Sequence, residues 1–84
     1  MTDNVLVLVE IDWIDSSGVG GWSDADYIEK QEPSVCLAIG YIVRETDKFV
    51  TIVQSLDLTD GTYYHSLTIP KFAITKMKII KRKR

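Results

Sequence analysis

The chain is short of the residues that staple or catalyse. It has one cysteine, Cys36, and one histidine, His65. A single cysteine excludes an intrachain disulfide, and one histidine with one cysteine cannot build a structural zinc site. No apolar run approaches the ~20 residues of a membrane helix. The longest at the start, Val5 to Val9, is broken by Glu10 and Asp12. Met1-Thr2-Asp3-Asn4 carries no basic segment, so neither a signal peptide nor a membrane span is expected. A free thiol within an apolar strand fits a reducing compartment, which predicts a cytoplasmic protein. Prolines are scarce: Pro33 and Pro70 each punctuate the chain once.

What is present is a globular composition. The 84 residues are 45% hydrophobic, enough for one domain with a modest core. A domain of this size is marginal alone and needs a helper. With disulfides and metals excluded, self-association is the expected one. The net charge of −2 conceals an uneven distribution. Residues 1–70 hold all twelve acids against three bases, a net of −9, and residues 71–84 hold seven bases and no acid. An acidic body carries a basic end.

Period-two alternation organises the chain. Val5, Val7, Val9, Ile11 and Trp13 alternate with Leu6, Leu8, Glu10, Asp12 and Ile14, which predicts a first strand that is one-sided in its second half. Leu6 and Leu8 suggest that the other face of its first half is covered as well, by a neighbouring subunit. Asp15 to Gly21 is a loop with three glycines in four residues. Ser23 followed by Asp26 reads as a capping box, with Trp22 and Tyr27 as a hydrophobic staple, and this predicts a short helix from Asp24 to about Glu29. Val35 to Val43 is apolar on both faces and is expected to be buried on both, with a bend at Gly40. Glu45 to Lys48 is a turn, Phe49 to Ser55 a strand, and Asp57 to Thr62 a hairpin loop with an Asp-Gly signal. Tyr63 to Ile69 is a strand ended by Pro70. Lys71-Phe72-Ala73 suits a single 3₁₀ turn, and Ile74 to Ile80 is the last strand. The expected organisation is one all-β domain at 1–80 and a basic flexible tail at 81–84, with no internal repeat.

The strand order, with a long first loop, a three-stranded meander, a kink and a last strand, resembles SH3-like and Sm-like barrels. Ile69-Pro70-Lys71-Phe72-Ala73-Ile74 resembles the turn and last strand of both. Gly40-Tyr41-Ile42 with Asp47 to Val53 resembles the first Sm motif, and Asp47 to Val53 with Lys71 to Thr75 is most similar to the Hfq family. Of that family's RNA-contacting residues the resemblance carries over only Lys71, since Pro70 and Phe72 replace its flanking tyrosine and histidine. Nearly the whole chain resembles small phage- or prophage-encoded proteins of unknown function, through the Asp15-to-Trp22 loop, the Cys36-to-Tyr41 strand and the Ile69-to-Ile74 ending. The resemblance implies a small five-stranded SH3-like or Sm-like barrel with a long, partly helical loop between strands 1 and 2.

Several groups invite a functional reading. Lys71, Lys76, Lys78, Lys81 and Arg82 could form a strip for the phosphates of single-stranded nucleic acid, with Tyr63, Tyr64 or Phe72 stacking on bases. The plainer explanation is an edge strand guarded by lysines. A third is that the basic strip of one subunit meets the acidic body of the next. Leu6, Leu8, Met77 and Ile79 are the candidate oligomer contacts. Gly18-Val19-Gly20-Gly21 lacks the lysine and spacing of a phosphate loop. Ser16, Ser17 and His65 lack a nucleophile elbow. Asp57, Asp60 and Thr62 do not have the spacing of an EF-hand and suit turn chemistry. Cys36 reads as a small buried hydrophobe. No cofactor, metal or enzymatic activity is expected. The leading expectation is a non-enzymatic, phage-derived interaction module that self-associates, with a ring as one form. The alternative is an Sm/Hfq-like RNA- or ssDNA-binding protein acting through its basic end.

Overall fold

The computed structural model describes residues 5–83. The elements are β1 (Leu6–Asp15), α1 (Ala25–Glu29), β2 (Ser34–Glu45), β3 (Phe49–Asp57), β4 (Thr62–Pro70), a 3₁₀ turn (Lys71–Ala73) and β5 (Ile74–Lys83). The strands form one antiparallel sheet in the order β4-β3-β2-β1-β5. Among the described residues, no helix is long and apolar enough to cross a membrane.

The core lies on one face of this sheet. Val9 and Ile11 of β1, Val50 and Ile52 of β3 and Ile69 of β4 are buried together. Trp13, Ala38, Ile42 and Ile74 pack around them. The alternation of β1 therefore works as expected, with Val7, Val9, Ile11 and Trp13 turned inward. The core is small, and its size explains why burial along β4 and β5 is so sparse.

The sheet does not close into the expected barrel. β4 and β5 are its two ends, and they do not pair with each other. β2 divides its length between two partners. Its segment Ser34–Tyr41 pairs with β1, and its segment Tyr41–Glu45 pairs with β3. At Gly40 the two halves part: the β3–β4 hairpin continues without β2, and the β1–β2 hairpin continues without β3. The molecule is consequently elongated, 58 × 24 × 20 Å with a radius of gyration of 16.6 Å. A compact chain of this length would measure about 12 Å. Its accessible surface is 6685 Å², against about 5,000 Å² for a compact monomer of this mass.

Two bulges shape β5. Between Asp12↔Lys76 and Trp13↔Ile74 the extra residue is Thr75, whose hydroxyl donates to the Asp12 carbonyl at 3.1 Å. Between Leu8↔Lys81 and Val9↔Ile79 it is Ile80. The expected tail is strand as far as Lys83: Lys81, Arg82 and Lys83 stand opposite Leu8, Val7 and Leu6. Their backbone groups find partners on β1, which outweighs the solubility of their side chains. Arg84 lies outside the described residues.

The helix between β1 and β2 begins one residue later than the capping box implies. Asp24, not Ser23, is the N-cap, and its carboxylate accepts the Tyr27 N–H at 2.9 Å. A carboxylate caps as well as a hydroxyl and adds negative charge at the positive helix end. With the cap shifted, Trp22 and Tyr27 no longer hold staple positions, and both are exposed.

Candidate interaction surface

β2, β1 and β5 lie side by side, and cross-strand partners share a face. On the face away from the core, the register builds three stripes. β2 contributes Val35, Leu37 and Ile39, β1 contributes Asp12 and Glu10, and β5 contributes Lys76, Lys78, Lys81 and Lys83. Leu37, Asp12 and Lys76 form one row across the sheet; Ile39, Glu10 and Lys78 form the next.

The expected burial of β2 on both faces fails here. Val35 is 82% exposed and Leu37 61%. Val35 and Leu37 lie in the part of β2 that pairs with β1 and not with β3, and their face is left uncovered there. Exposure of this stripe escaped the sequence reading, because an apolar-on-both-faces strand ordinarily signals burial. At Gly40 itself the approach is close: a Cβ there would stand 2.8 Å from the Val53 carbonyl oxygen.

The basic candidates separate into three environments. Lys76 and Lys78 share a face, as alternation predicts, and stand opposite Asp12 and Glu10 of their own chain. The third reading of the basic strip placed its acidic partners on another subunit; for these two lysines, acids already lie across the strand pair. Lys71 is engaged elsewhere, its ammonium 2.8 Å from Glu45. Beside it, Pro70 and exposed Phe72 border a shallow hollow with Lys48 and Phe49. Lys81 and Lys83 have leucines opposite them and no acid in register. The Ile80 bulge puts them on the lysine face, where strict alternation would have put Arg82. Arg82 instead stands opposite Val7, on the core-side face.

The candidate oligomer contacts separate too. Leu6 and Leu8 are half-buried. Leu6 lines a concavity with Leu56 and Leu58, so part of its cover comes from its own chain and not from a neighbour. Met77 and Ile79 stand opposite the buried Ile11 and Val9, yet both remain substantially exposed. Leu67 of β4, opposite buried Ile52, is exposed in the same way at the other end of the sheet. β4 carries no acid, lysine or arginine along its length and exposes Tyr63 and Tyr64. Long uncharged edges of this kind are templates for association.

The remaining candidates are occupied by local structure. Ser17 donates its hydroxyl to the Glu32 carbonyl at 2.5 Å, tying the neck of the loop between β1 and β2. His65 stacks edge-on against Tyr64 at 3.9 Å between ring centroids. It has φ 55°, a left-handed conformation inside a strand. Asp57 accepts the Thr59 and Asp60 N–H groups, and Asp60 accepts both the N–H and the hydroxyl of Thr62. The Thr62 side chain, then its backbone, holds the Asp60 carboxyl below its ordinary range. Cys36 is half-buried opposite Trp13. Among the described residues, no group of three or more histidine, cysteine or acidic side chains is placed to hold a metal ion.

Compared with known proteins, the chain matches no family model, no curated protein and no solved structure.

Proposed function

We propose that this chain is a non-enzymatic interaction module that works as a homo-oligomer, on an SH3/Sm-like scaffold left open between β4 and β5. The strand order and the long β2, shared between β1 and β3, support that scaffold type. The phage-derived origin belongs to the same reading and rests on the sequence pattern. The observation that carries self-association is the exposure of core-side apolar residues at both free edges: Leu67 on β4, and Met77 and Ile79 on β5. These side chains continue the core beyond what one chain covers. The surface excess of about 1,600 Å² over a compact monomer is twice the ~800 Å² that each partner contributes to a standard interface. Sedimentation velocity at micromolar concentration tests the reading. An oligomer is expected, and a clean monomer would refute it.

A second reading, binding of single-stranded nucleic acid, is favoured by Lys81 and Lys83, which have no acid in register. Two such contacts predict a weak, salt-sensitive association, with a log–log salt slope of about −1.4 for single strands. Titration of labelled ssRNA and ssDNA across a salt series tests it, and absence of binding at low salt removes it.

A further inference from the structure

The segment between β1 and β2, residues 16–33, projects as an arm. Its helix contains no buried residue, and Trp22 is fully exposed, with Tyr27 and Ile28 about half exposed. The arm is nonetheless built: the Ser17–Glu32 bond ties its neck and Asp24 caps its helix. It carries Asp24, Asp26, Glu29 and Glu32 against the single base Lys30. β5 is its complement, with five bases, no acid, and exposed Met77, Ile79 and Ile80. The two surfaces belong to opposite ends of the body. The neck of the arm is at the Asp15↔Ser34 pair, and the basic end of β5 is at Leu6↔Lys83. Those ends of the ten-residue β1 lie about 30 Å apart.

We infer that the acidic arm of one copy docks along the free edge of β5 of a second copy. Trp22 is the apolar anchor, against Ile79 on the core-side flank of that edge, and Asp26 and Glu29, neighbours on one helix face, meet Lys81 and Lys83, which have no acid in register, on its other flank. This rests on the self-association reading and adds which surfaces meet. The contact is heterologous, so each chain offers one arm and accepts one, and repetition makes a ring or a filament.

Full-length charge-reversal variants test the pairing. Asp26→Lys/Glu29→Lys and Lys81→Glu/Lys83→Glu, which leave the Asp24 cap in place, are each expected to sediment as smaller species than wild type, since like charges then face each other. Mixed in equal amounts they are expected to recombine, because each arm again meets a β5 of opposite sign. Trp22→Ser, outside the core, is expected to weaken association at least about tenfold, as loss of a buried aromatic anchor does. In a Trp13→Phe background, Trp22 emission is expected to shift to the blue on assembly. Variants that assemble like wild type overturn the arm-to-β5 contact and leave self-association standing. Variants that dissociate but do not recombine overturn the contact as well. A monomeric wild type overturns the reading on which it rests.

Discussion

Gly40 is where the physics of this fold can be tested most directly. Its φ is not in the left-handed region, so glycine is not required there by backbone conformation. The requirement is space. A methyl group at Gly40 would stand 2.8 Å from the Val53 carbonyl oxygen and 3.2 Å from Cβ and Cδ1 of Ile52. The oxygen belongs to backbone paired with Tyr41, and Ile52 is core, so neither can turn away. Gly40→Ala therefore forces β2 and β3 apart by a few tenths of an ångström where the two halves of the sheet meet. Inserting a methyl into packed surroundings costs ~1–3 kcal/mol. Replacing glycine recovers ~0.4–1 kcal/mol by restricting the unfolded chain. The expected net loss is about 1–2 kcal/mol, from a total of ~4–13 kcal/mol for a chain of this length. That corresponds to a fall in Tm of about 4–16 °C. Thermal unfolding followed by far-ultraviolet circular dichroism measures it, at one fixed protein concentration because association raises apparent stability. Gly18→Ala is the control: a Cβ at Gly18 meets nothing within 4 Å, so its Tm should equal or slightly exceed that of wild type. If Gly40→Ala unfolds together with Gly18→Ala, the close approach does not constrain the fold and the reasoning fails.

Three further outcomes are expected. His65→Val should destabilise by about 1–2 kcal/mol in urea unfolding, although valine is the better strand former, because φ 55° is hostile to a β-branched side chain; a stabilised variant would contradict this. Lys71→Ala should cost no more than ~1 kcal/mol, because its pair with Glu45 is solvent-accessible on both sides, and the loss should shrink in 1 M salt. The Asp60 carboxyl lies below its ordinary 3.8 in the folded protein, so its contribution is complete above that value and is lost as pH falls through the lowered one. Nuclear magnetic resonance titration should show this, and Thr62→Val should move the midpoint back up.

The elements of this protein are legible locally and its surfaces are not. Alternation, apolar runs and turn residues located all five strands, the Asp-Gly hairpin and the 3₁₀ turn before β5, because those patterns depend on neighbours in the chain. Gly40, singled out by its lack of a side chain, stands where the pairing of β2 with β3 ends. The cap moved from Ser23 to Asp24 because two adjacent residues could each serve, and local pattern did not rank them.

Alternation holds only while a strand gains one residue for each one on its partner. The Ile80 bulge changes parity, so Lys81 and Lys83 join the lysine face and Arg82 leaves it. Nothing in Ile79-Ile80-Lys81 marks that step, since the register is set by pairing with β1. In the same way, an apolar side chain shows what would gain from burial but not what covers it. Val35 and Leu37 stay exposed on a face of β2 left uncovered, and Met77 and Ile79 beside the free edge of a sheet that stays open between β4 and β5. By itself the sequence determined the strands and the separation of an acidic body from a basic end. The tertiary structure alone decided which charges face acids, which apolar residues remain uncovered and that the sheet does not close, because each depends on partners distant in the chain.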